Sequence, residues 1–84
     1  MPVISRFYGI VIRMYFSQNE HNPPHFHAFY GDDVAAIAIQ NGEVLDGYLP
    51  NKALEMVLEW NTMHKDDLLE IWDTQEFKFL SPLE

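Results

Sequence analysis

Pro50 divides this chain into two parts with different hydrophobic periods, and that change of period constrains the fold more than any other feature. Before Pro50, apolar residues recur at alternate positions. After it, they recur at helical spacing. Tyr8, Ile10, Ile12, Met14 and Phe16 alternate with Gly9, Val11, Arg13 and Tyr15, which predicts a strand over Tyr8 to Phe16 with one wholly apolar face. Ser17 to Pro24 (SQNEHNPP) is loop chemistry, closed by Pro23 and Pro24. His25 to Tyr30 predicts a second strand with Phe26 and Tyr30 toward the core, and Gly31, Asp32 and Asp33 a turn. Val34 to Ile39 predicts a third strand, unusually rich in alanine. Asn41-Gly42 is a hairpin signal, because both residues tolerate positive φ, and Glu43 to Leu49 follows as a fourth strand. Links this short make neighbouring strands antiparallel.

Pro50 suits the first turn of a helix, where no amide donor is needed. Ala53, Met56, Val57, Trp60 and Met63 then share one helical face, with Leu54 and Leu58 beside it and Glu55 and Glu59 opposite. The pattern re-starts near His64-Lys65. Asp66 and Asp67 predict the acidic first turn of a second helix, which continues through Leu68, Ile71 and Trp72. FKFLSPL reads as a short last strand or an extended tail that packs back. Residues 1–84 are thus expected to form a single α+β domain, an antiparallel meander of three to four strands packed against two C-terminal helices.

Two imidazoles stand out on this frame. His25 and His27 lie two apart on a predicted strand, so both leave the same face, and Phe26 leaves the other. Three chemistries fit the pair. They could hold zinc or another first-row divalent metal, with His21 or a carboxylate from Asp32, Asp33 or Asp46 completing the set. They could exchange protons in phosphodiester cleavage, since imidazoles titrate near neutrality. They could equally be structural, hydrogen-bonded to backbone at a strand start. Asn61 and His64 form a second polar pair inside the apolar helical face, three residues apart. Such groups need partners. A helix-end hydrogen bond at the break answers for His64; the alternative is that it faces the His25/His27 strand across the core edge. Trp60 and Trp72 read as core anchors.

Charge narrows the functional classes. Thirteen acids against five bases give a formal net charge of −8, and the residues before Glu20 carry two arginines and no acid. An acidic chain repels phosphate backbones, so direct nucleic-acid binding is disfavoured and a basic protein partner fits better. There is no cysteine, which excludes disulfides and thiolate metal sites. No apolar run approaches a membrane span, and the N-terminal stretch, broken by Arg6 and Arg13, does not read as a signal peptide, so a cytoplasmic location is expected. Gly9, Gly31, Gly42 and Gly47 are isolated and build no phosphate loop, and Ser5 and Ser17 lie in no nucleophile context.

ISRFYGIVIRMYF, NPPHFHAFYG, GEVLDGYLP with KAL, LEWNTMH and a final SPL occur here in an order that resembles the bacterial family known as domain of unknown function 4160. The resemblance covers nearly the whole chain. It implies a small stand-alone bacterial protein whose gene often lies beside another small uncharacterised domain, in the manner of toxin–antitoxin pairs. His25 and His27 occupy the family's PPHFH positions, and Trp60 and His64 its EW…H positions. Lys52 stands where arginine is commoner, which weakens an arginine-dependent phosphate contact there, and Ile71 stands where asparagine is frequent.

The functional expectation is a toxin–antitoxin-type module acting with a protein partner, for which the resemblance points to the product of the neighbouring gene. Its active centre would be His25 and His27 with His64 and Arg13. RNA cleavage is the chemistry such a centre would run, and the charge of −8 argues against it. The alternatives are a non-enzymatic protein-binding module, using the histidine face and the acidic helices, and a metal-binding domain ligated by His25 and His27. Whether the chain is an enzyme, and whether it self-associates, both stay open at the level of sequence.

Overall fold

The computed structural model describes residues 2–15 and 23–84. Five strands, β1 (Val3–Phe7), β2 (Ile10–Arg13), β3 (His25–Tyr30), β4 (Asp33–Ala38) and β5 (Val44–Gly47), precede one helix, α1 (Asn51–Thr74). The strands form one antiparallel sheet in the order β1-β2-β3-β4-β5. The α+β meander is as expected. Its strand count and its helix count are not.

The first expected strand, Tyr8 to Phe16, contains β2, but its first two residues, Tyr8 and Gly9, are the turn of a hairpin with β1. Phe7 pairs with Ile10 around Tyr8 and Gly9, which have φ of 51° and 81°. Two consecutive positive φ values make the two-residue turn whose twist matches a hairpin. Phe7 and Ile10, three apart, face the same side, so the parity of the pattern switches at the turn, and the exposed but apolar Tyr8 extends the even-numbered series and hides the switch. Phe16 lies outside the described residues. The fourth expected strand shortens to Val44–Gly47, with a register shift opposite Ala36 and Ile37 that leaves Leu45 as a bulge. Gly47, at φ 82°, is required there, because a Cβ would run into the Val34 carbonyl oxygen.

The two expected helices are one helix with a kink. His64 alone departs from helical geometry, at φ −117° and ψ 18°. Asp66 and Asp67 therefore lie inside α1 rather than at a helix start, and Met63 is exposed. Pro50 does begin the helix, as the residue before Asn51, and its carbonyl accepts from the Leu54 amide. Gln75 ends it in a left-handed conformation, donating to the Ile71 carbonyl.

One face of the sheet packs on α1. Ile4, Phe7, Ile10, Ile12, Phe26, Ala28, Ala35 and Ile37 meet Ala53, Val57, Trp60, Leu68 and Ile71. Trp60 is fully buried between Phe7 and Phe26, with ring centroids 5.7 and 5.6 Å away. Tyr30, expected in the core, lies at the open end of β3 and is exposed. Residues after the helix form the extended tail: Leu80 and Leu83 are buried, and the Leu80 amide donates to the Ile4 carbonyl on the β1 edge. No helix among the described residues is long and apolar enough to cross a membrane.

Candidate functional site

Strand alternation puts Phe26 and Ala28 into the core and leaves His25, His27 and Phe29 on the sheet face away from it. Register carries the row across the sheet. Arg13 pairs with His27, His27 with Ala36, and Ala36 with Asp46, so these four residues lie side by side on that face. Between His27 and Asp46 the only side chain is the methyl of Ala36. That gap opens a cleft of about 350 Å³, lined by Pro23, His25, His27, Ala36, Leu45 and Asp46.

The two imidazoles sit 5.4 Å apart, centroid to centroid, at 65°. His25 Nδ1 lies 2.9 Å from the Pro23 carbonyl. A carbonyl only accepts, so Nδ1 carries the proton and the neutral ring keeps its lone pair on Nε2. The His25 ring also packs on Trp72, 5.2 Å away. His27 is wedged against Tyr15 in an edge contact at 4.4 Å. Its Nδ1 is buried and has no hydrogen-bond partner among the described residues. Burial, with the neighbouring His25 adding to it, lowers the His27 pKa below its usual 6.5, while Asp46 opposes the shift. His27 is therefore mainly neutral at pH 7.

The expected site residues do not all meet. Arg13 is on the same face beside His27, but its guanidinium stacks over the Phe29 ring at 5.6 Å and does not line the cleft. His64 is on the core side, against Trp60 at 5.1 Å. Its Nε2 donates to the Ser81 carbonyl at 2.9 Å, which also accepts from Trp60 Nε1 at 2.8 Å. His64 thus pins the tail at the helix kink and is not brought to the His25/His27 face. Asn61 anchors the Ile39 carbonyl through Nδ2 at 2.9 Å. Of the carboxylates, Asp46 reaches the cleft. Asp33 pairs with Tyr30 at the far end of β3, about 10 Å along the strand from His27, and Asp32 lies in the adjoining turn. His21 lies outside the described residues. Among the described residues no group of three or more His, Asp or Glu is placed to hold a metal ion.

Tyr15, Trp72, Leu45 and the Pro23 carbonyl complete the surroundings of the pair, and the sequence did not single them out. The alanine content of β4 was the available signal, since Ala36 makes the space between a histidine and an acid.

The pattern for Domain of unknown function (DUF4160) matches residues 9–73, and the chain belongs to that family. No curated protein and no solved structure matches it significantly.

Proposed function

We propose that this member of a family without an assigned activity is one component of a two-protein, toxin–antitoxin-type pair, and that the His25/His27 cleft is where it engages its partner. One observation carries this reading: the sheet face opposite the core, touched by α1 through Trp72 against His25, holds a cleft with two imidazoles, one with its tautomer set by a backbone carbonyl. The neutral form of His25 offers Nε2 as a hydrogen-bond acceptor, Asp46 offers its carboxylate, and Leu45 supplies an apolar wall. A site built of acceptors suits a partner's donors: lysine, arginine or backbone amide groups. The charge of −8 favours such a partner and disfavours RNA.

Acid–base catalysis is the second reading, favoured by the 5.4 Å spacing of two imidazoles beside Arg13. The metal reading has two ligands and, among the described residues, no third. The test is expression of the gene in a bacterium with and without its neighbour, wild type against H25Q/H27Q. Complex formation with the neighbour's product, lost in the folded double variant, supports the pair. Growth arrest abolished by the same variant adds the catalytic reading. A complex indifferent to both histidines ends the proposal.

A further inference from the structure

We infer that the exposed edge of β5 is a strand-addition site for an extended, basic segment of a partner protein, laid alongside the His25/His27 cleft. The two edges of the sheet are treated differently. On β1 the tail is tied down, the Leu80 amide bonding the Ile4 carbonyl. On β5 nothing among the described residues pairs beyond the strand, and all four of its residues are exposed. Open edges template further pairing unless they are blunted by lysine, proline, a covering segment, a bulge or shortness. Among the described residues β5 has no lysine, proline or cover, and its blunting is limited to its four-residue length and one bulge. Its bulge at Leu45 shortens the regular stretch but turns Leu45 toward the cleft.

Charge selects the occupant. From Asp32 to Asn51 the chain carries Asp32, Asp33, Glu43 and Asp46 and no lysine or arginine. A second copy of the same edge would bring acid against acid. A strand of alternating apolar and basic residues would instead set its cations against Glu43 and Asp46 and its apolar side chains on the face of Val44. Tyr48, 63% exposed just beyond β5, offers an aromatic face to the same cations. The inference deepens the two-protein reading by naming how the partner binds, and it rests on that reading only for the partner's identity.

The test is amide hydrogen exchange on the intact chain with two probes, a seven-residue peptide of alternating valine and lysine and its valine–glutamate counterpart. At saturation the lysine peptide should slow exchange of amides in residues 44–47 by about tenfold or more, and the glutamate peptide should not. E43K/D46K, checked for an unchanged melt, should abolish the effect. No protection at 44–47, equal protection by both peptides, or protection centred on α1 would overturn the inference. The product of the neighbouring gene separates the two claims. If it binds without protecting β5, the edge assignment fails and the pair stands. If it does not bind while the lysine peptide protects β5, the pair fails and the edge stands.

Discussion

His27 is half-buried, with Nδ1 buried and without a partner among the described residues, and folding favours its neutral ring. The sign of the pH dependence follows. Below pH 6.5 the unfolded chain binds a proton that folded His27 resists, so the unfolded state holds more protons and stability rises with pH in that range. The contribution is present above 6.5 and is lost as pH falls toward and through the lowered folded value. Urea unfolding at pH 7.5 and pH 5.5 (values chosen about 1 unit either side of the free imidazole) should show a loss at the lower pH that H27Q reduces. D46N should move the His27 midpoint further down, as read by imidazole NMR, because Asp46 holds it up. Trp60 is the opposite kind of residue, buried and already partnered by the Ser81 carbonyl. W60A should cost about 3–5 kcal/mol in chemical denaturation, from the cavity and the lost ring contacts. Gly31 and Gly47 make a matched pair for backbone strain. Both have positive φ, but a Cβ at Gly31 meets open space and one at Gly47 meets backbone. G31A should cost about 1 kcal/mol and G47A clearly more, about 3 kcal/mol or above.

Among the elements, β3 and β4 were legible almost to the residue, because β3 alternates and β4 is a continuous apolar run, each bounded by proline, glycine or asparagine. β1 was not, since a register shift between Val3 and Ser5 buries the adjacent Ile4 and Ser5 and spoils the alternation, and the turn after it is formed by Tyr8, a residue that seldom takes positive φ. The kink at His64 was visible as a break in apolar spacing and was read as two helices. Neither proline nor glycine marks it, and the backbone continues through it. What the spacing could not show is that the tail comes back to that point, so that one carbonyl of Ser81 serves both Trp60 and His64. Truncation before Phe77 should therefore lower the melting temperature and red-shift Trp60 emission, since it removes Leu80 and Leu83 from the core and that carbonyl from the indole. An unchanged melt would mean the tail only rests on the sheet.

On the scale of the whole molecule, the chain keeps its apolar burial on one face of the sheet and its unusual chemistry on the other. The pairing of His25 with His27 was readable from spacing alone. The participation of Asp46 required the β4–β5 register, and the exclusion of His64 required knowing which side of the sheet α1 covers. The histidine face is not needed to hold the core, so substitutions there should separate function from stability. The decisive measurement is calorimetric titration of the purified neighbouring gene product into the wild-type chain and into H25Q/H27Q, with thermal melts of both. The account predicts that the double variant stays within about 1–2 kcal/mol of wild-type stability and loses at least about tenfold in affinity. Wild-type affinity in a stably folded H25Q/H27Q chain would contradict it.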